Sequence, residues 1–191
     1  MRGRGVLFLV VGPSGVGKDS LIDGAKRLLA NDVSYYFPKR YITRSQDAGG
    51  EQHRSVTPKE FKTLRADGSL MMSWEAHKHH YGIPAAAEEA LAAGRSVVVN
   101  VSRQVIEETR RRWPPVRILL VTAPRDVLAA RLTARGRETD DDIQRRLDRI
   151  DAYRISGGDV REVVNADRLD RAVDRFVALL EHELRMTVKP A

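Results

Sequence analysis

Six consecutive apolar residues, Val6 to Val11, run directly into "GPSGVGKDS", Gly12 to Ser20. No other junction limits what this chain can fold into as much. An unbroken apolar run of strand length reads as a strand buried on both faces, and glycines directly after it let the backbone wrap closely around a ligand. The spacing G-x-x-x-x-G-K sets Gly12, Gly17 and Lys18 in the register of a phosphate-binding loop, failing only at the final Ser or Thr. The segment Gly12, Pro13, Ser14, Gly15, Val16 and Gly17 is expected to cradle phosphate oxygens with backbone N–H groups. Lys18 reaches the β and γ phosphates, and the helix opening with Asp19 and Ser20 adds its positive end. These residues imply a nucleoside triphosphate site.

Asp19 stands where a hydroxyl normally ligates Mg²⁺. A carboxylate is also a hard oxygen donor, so Asp19 is a candidate Mg²⁺ ligand. Its alternative role is favourable charge at a helix N-terminus.

Further strands and helices alternate along the chain. "SVVVNV" (Ser96 to Val101), "VRILLVT" (Val116 to Thr122) and "REVVNA" (ending at Asn165) read as strands. Helical periods follow from Lys18 to Leu29, near Ser102 to Arg112, after Pro124, and through Leu169 to Leu180. This order predicts a central parallel sheet in an α/β domain. Tyr35 to Pro84 breaks the alternation and reads as an insert, with a short helix opened by the capping box "TPKE". The core is then 1–34 and 94–191, and the polar stretch about 135–142 is a candidate lid. The 191 residues suit one domain.

Charge narrows the partners. Thirty-three Lys and Arg against 26 Asp and Glu give a net charge of +7, which suits an anionic ligand. Neither an aromatic-interleaved basic strand nor a helix-turn-helix pattern points to nucleic acid. Val6 to Val11 is too short to span a membrane. The absence of Cys excludes thiolate metal sites and disulfides. A cytoplasmic protein, monomeric or homodimeric, is expected, with small phosphorylated molecules as its partners.

The segments "GPSGVGK", "YITR", "WEAH" with "YG", "RLTARGRET" and "VVNAD" resemble the guanylate kinase group of P-loop kinases along nearly the whole chain. The resemblance implies a three-layer P-loop NTPase fold with an acceptor-binding insert and an arginine lid, and ATP with Mg²⁺ as co-substrate. It makes Arg131, Arg135 and Arg146 the cations that neutralise the transferring phosphoryl group. Arg44 and Tyr81 would hold the acceptor's phosphate, and Asn165 would lie in the loop beside the adenine. Closure of the lid would exclude water.

The departures point to the acceptor. Ser73 stands before Trp74, and Asn100 and Ser102 lie on the strand where that group reads guanine with carboxylates; Asp47 stands nearest to its second phosphate-holding Arg. "GPSGVGKDSL", "RYITR", "WEAH" and "VVVNVSR" are similar to the branch of ribose 1,5-bisphosphate phosphokinases. That similarity implies transfer from ATP to ribose 1,5-bisphosphate, giving 5-phosphoribosyl 1-diphosphate in phosphonate degradation. The acceptor atom is then an anionic phosphate oxygen, which requires no strong general base. Glu75 and Asn100 are candidates for the ribose hydroxyls, and His77 is the candidate acceptor ligand within an insert holding four of the five His. Two other readings remain: a guanylate-type nucleoside monophosphate kinase, and a non-catalytic binding module on the same fold.

Overall fold

The computed structural model describes residues 4–45, 52–134, 141, 143–145, 147, 155–166 and 168–188. Its centre is β1 (Leu7–Val11), flanked by β7 (Ser96–Asn100) and β8 (Val116–Thr122). β2 (Tyr35–Tyr36) and β9 (Val160–Val164) complete a five-stranded sheet of order β2-β7-β1-β8-β9, parallel throughout.

The apolar run of β1 is unbroken because alternate residues enter two separate cores. Val6, Phe8 and Val10 pack on the side of α1 (Lys18–Leu28) and α6 (Leu169–Val188), with Leu21, Val173 and Phe176. Leu7, Leu9 and Val11 face the opposite side, with Leu91 of α3 (Ala86–Ala92), Ile106 of α4 (Ile106–Arg112) and Trp113. Gly24 lets α1 and α6 approach, since a Cβ there would lie 2.3 Å from Val173 Cγ2.

The insert carries its own four-stranded sheet, ordered β4-β3-β6-β5. It comprises β3 (Tyr41–Ile42), β4 (Arg54–Ser55), β5 (Leu70–Ala76) and β6 (His79–Pro84). The helix expected from "TPKE" is α2 (Pro58–Ala66), capped by Thr57, whose side chain accepts from the Glu60 N–H while Glu60 reaches back. Two differences from the sequence reading concern where elements begin. Tyr35 and Tyr36 pair with Ser96 and Val97 in the central sheet, so the insert begins after them. The stretch near Ser102 to Arg112 begins as a 3₁₀ turn, Arg103–Val105, before α4.

The far end of α6 is tied to the sheet by Glu183, only 2% exposed, which accepts from Arg117 Nε at 2.7 Å and Arg161 Nε at 2.6 Å. Burial alone would push the Glu183 carboxyl up; the hydrogen bonds and charges of Arg161 and Arg117 outweigh it and hold it below its ordinary value. A depressed carboxylate contributes stability above its unfolded value near 4.5 and loses it as pH falls through the folded value. Glu183→Ala is therefore expected to cost about 3 kcal/mol at pH 7. In urea melts from pH 7 to pH 3 the gap to wild type closes below about 4.5; a gap independent of pH would show that packing, not charge, holds this end.

Candidate active site

The phosphate loop leaves β1 at the carboxyl edge of the central strand, between β7 and β8, where the chain order turns from one side of the sheet to the other. This is where open parallel sheets form ligand crevices. Gly12, Gly15 and Gly17 have φ of 148°, 93° and 92°, a conformation that side chains rarely adopt. A Cβ on Gly12 would lie 2.3 Å from the Val121 carbonyl oxygen of β8, and one on Gly17 would lie 2.4 Å from Asn165 Nδ2. Lys18 Nζ donates to the Gly12 and Pro13 carbonyls at 2.8 Å each, folding the ammonium back across the loop. Gly17 supplies no capping side chain, which leaves the first N–H groups of α1 for an anion. Pro13 and Val16 are buried; Ser14 and Ser20 are exposed.

Asn165 braces the loop from behind. Its side chain is 3% exposed and donates through Nδ2 to the Val16 carbonyl at 2.8 Å. Its own backbone carbonyl accepts from Arg131 Nη1 at 2.9 Å, tying the helix α5 (Arg125–Ala134) to the same corner. Asn165 thus touches the phosphate loop directly, a contact that the sequence reading did not foresee. Arg135 and Arg146, with most of the expected lid and Asp47, lie outside the described residues.

Asp19 and Asn100 meet: Asn100 Nδ2 donates to Asp19 Oδ1 at 2.7 Å. The strand end that would carry a carboxylate instead holds the loop's carboxylate within one hydrogen bond. The Asp19 side chain is 42% exposed, and a hard oxygen there fits Mg²⁺. Among the described residues there is no group of three or more His, Cys, Asp or Glu able to hold a metal. A cation at Asp19 would therefore complete its shell with phosphates and water, the usual habit of Mg²⁺. One turn on, burial and the Asp19 charge push the Asp23 carboxyl above its ordinary value, against the pull of Lys26 and Arg27.

On the insert side, Tyr81 stacks on Trp74 with ring centres 5.4 Å apart and planes 5° from parallel. The Arg40 guanidinium lies 5.5 Å from the Tyr81 ring centre, and Arg40 Nη1 donates to the Asn100 carbonyl at 2.9 Å. Tyr81 and Asn100 are thereby brought together through a residue that the sequence reading did not single out. Arg44 follows β3, and its carbonyl accepts from Ser55 Oγ at 2.8 Å. Its Nε is buried without a hydrogen-bond partner among the described residues.

Glu75 and His77 are not brought to this group. Trp74 pairs with Tyr81 and Glu75 with His80, so alternation sends Glu75 to the opposite face of the hairpin. There the His80 ring stacks on Phe61 of α2, 5.4 Å away. His77 and Lys78 form the exposed hairpin turn with φ of 51° and 62°, the left-handed pair of a type I′ turn.

The guanylate kinase profile matches residues 4–183. The chain belongs to the guanylate kinase family. Among solved structures, the guanylate kinase of Anaplasma phagocytophilum superposes with a TM-score of 0.68 at 20% identity, covering 96% of this chain and 88% of that one. At that identity the likeness speaks for the fold. Family members closer in sequence are named ribose 1,5-bisphosphate phosphokinase PhnN. The protein of Rhizobium etli is 41% identical over 93% of this chain and 90% of its own length. That of Thiobacillus denitrificans is 42% identical over 93% of both. A bifunctional ribose 1,5-bisphosphokinase-thymidine phosphorylase of Cupriavidus pinatubonensis is 44% identical over 95% of this chain. The chain spans only 30% of that longer relative.

Proposed function

We propose that this member of the guanylate kinase family transfers the γ-phosphoryl group of ATP to ribose 1,5-bisphosphate, forming 5-phosphoribosyl 1-diphosphate and ADP in phosphonate catabolism. The observation that carries the reading is the Asn100–Asp19 hydrogen bond. It commits the strand end to the phosphate loop, while Ser73 and Ser102 offer no charge to a purine edge. A base-reading site without its charged partners discriminates poorly, whereas a sugar bearing two phosphates needs cations and donors. The names of the full-length relatives agree with this acceptor.

In the reaction, an oxygen of the 1-phosphate attacks the γ phosphorus, the bond to the β–γ bridging oxygen breaks, and ADP leaves with that electron pair. The nucleophile is already anionic, so the protein's work is alignment and charge neutralisation. The loop N–H groups and the start of α1 hold the triphosphate, and Lys18 follows the charge on its outer phosphates. The buried Arg44 Nε suits an acceptor phosphate. Arg131 stands at the root of the lid, with Arg135 and Arg146 proposed to complete it. Mg²⁺ held by Asp19 would supply further neutralisation of the phosphates. Glu75 and His77, on the far face and at the turn, are less suited to the acceptor than Tyr81 and Asn100. All named groups come from one chain, so a monomer or a homodimer fits. The cytoplasm, where ATP is abundant, is the fitting compartment. Among the described residues no helix is long and apolar enough to cross a membrane.

Asp19→Asn tests the metal role. The substitution keeps the shape and an oxygen for Asn100 while removing the charge. It is expected to raise the Mg²⁺ concentration for half-maximal turnover about tenfold or more, as loss of about 1.4 kcal/mol of metal affinity would. Unchanged Mg²⁺ dependence would remove Asp19 from the metal's shell.

A further inference from the structure

Arg40 is 9% exposed, at the entry to the insert, in a chain whose other cations are mostly at the surface. Among the described residues, three parts of the chain converge on its guanidinium. Nη1 donates to the Asn100 carbonyl at the end of β7 (2.9 Å), Nη2 lies 3.9 Å from Asp19 Oδ1 at the head of α1, and the Tyr81 ring of β6 is 5.5 Å away. Burying a guanidinium costs several kcal/mol in lost hydration, roughly, unless its donors and charge are matched. Here the matching partners among the described residues include a strand end, a loop carboxylate and an insert aromatic. A cleft lined by Asp19, Asp23, Lys26, Lys39, Arg40 and Asn100 opens along the same seam.

We propose that Arg40 is a positioning residue for phosphoryl transfer, fixing Tyr81 of the insert and the Asp19 carboxylate of the phosphate loop against one strand end. The proposal rests on reading the chain as a kinase whose acceptor lies beside the insert. A planar fork suits this task because its donors and its flat face act at once in fixed directions, which the single ammonium of Lys cannot reproduce. Misplacement of reacting groups by about 1 Å costs on the order of a hundredfold in rate, so a residue that touches neither substrate can control the reaction. ATP binding is held elsewhere, by the loop N–H groups and Lys18, and should feel the loss least.

The test compares Arg40→Met, which keeps length without charge, with Arg40→Lys, which keeps charge without the fork. Acceptor and ATP are varied separately, with melting curves and tryptophan emission of the unliganded protein as structural readouts. Arg40→Met is expected to lower kcat/KM for the acceptor about a hundredfold while the KM for ATP stays within about twofold. Its emission should shift as the Trp74–Tyr81 stack loosens, and Arg40→Lys should recover about tenfold of the lost rate. A cooperatively folded Arg40→Met whose kcat/KM for the acceptor stays within about threefold of wild type, or whose KM for ATP rises as much as that for the acceptor, would overturn the proposal, as would Arg40→Lys performing no better. Should Arg40→Met fail to fold, Arg40→Lys decides: a raised acceptor KM with unchanged ATP KM supports positioning, and parallel changes refute it. Wild type is assayed first with ribose 1,5-bisphosphate and GMP. Turnover with GMP alone would sink the proposed acceptor, and the same comparison made with GMP would still judge Arg40.

Discussion

Lys18→Met is expected to lower kcat by about 10²–10³-fold, the effect of removing one preorganised charge stabiliser from a transition state. Nothing else in the loop can take its place. Gly12, Pro13, Gly15, Val16 and Gly17 offer only backbone, and Ser14 is neutral. Lys18 Nζ is held 2.8 Å from the Gly12 and Pro13 carbonyls, so its loss also frees two acceptors at the loop's start. Pro13 is buried but Gly12 and Lys18 are only half-buried, so water taking the place of the lost ammonium can satisfy those carbonyls at modest cost. The melting temperature should therefore fall by no more than about 3 °C, roughly the effect of 1 kcal/mol in a chain of this size. Loss of rate without loss of fold is the signature sought. A variant retaining kcat within threefold would mean that the ammonium does not follow the transferring group.

Gly12→Ala should act in the reverse manner, through the fold. Its φ of 148° is hostile to a side chain, and the new Cβ would lie 2.3 Å from the Val121 carbonyl oxygen, an atom of the central strand β8. Neither partner can give way cheaply, because β1 and β8 are paired over five positions from Leu7 to Val11. Backbone strain and overpacking together cost about 3 kcal/mol, which lowers the melting temperature by about 6–12 °C. Activity should be lost as the loop moves. Gly68→Ala is the internal control: its φ is 78°, yet nothing lies within 4 Å of the added Cβ. That change should cost only the left-handed conformation, about 1 kcal/mol. Equal destabilisation by the two substitutions would show that φ alone, not the packing of the loop on β8, makes Gly12 necessary.

The central sheet was legible because its signal is local. An apolar run such as Val6 to Val11 is explained only by burial on both faces, and each such run became a parallel strand. The capping box at Thr57 was equally local and marked the start of α2 correctly. The insert's sheet was not legible. β3 and β4 are two residues long, too short to show a period, and the turn between β5 and β6 is made by His77 and Lys78, where Gly or Asn would have signalled it. Without that hairpin, nothing in the sequence set Glu75 and His77 apart from Trp74 and Tyr81 as residues of one site. Once strand alternation is known, Glu75 falls on the face away from Tyr81.

Arg40 escaped for a different reason. It stands among Lys39, Arg44 and Arg54, and only the tertiary arrangement distinguishes a buried guanidinium from surface charge. The contact of Asn165 with the phosphate loop is a pairing across 149 residues, which no sequence pattern carries. The 2.7 Å hydrogen bond between Asn100 and Asp19, 81 residues apart, is likewise a meeting that only the fold brings about.

ADP formation with Mg²⁺–ATP decides which acceptor the protein uses. Ribose 1,5-bisphosphate, ribose 5-phosphate and GMP are supplied in parallel, and the products are resolved by phosphorus NMR. ADP together with 5-phosphoribosyl 1-diphosphate from the bisphosphate alone is the predicted result. ADP and GDP from GMP, with no turnover of the bisphosphate, would contradict it and show that Ser73, Asn100 and Ser102 read a purine after all.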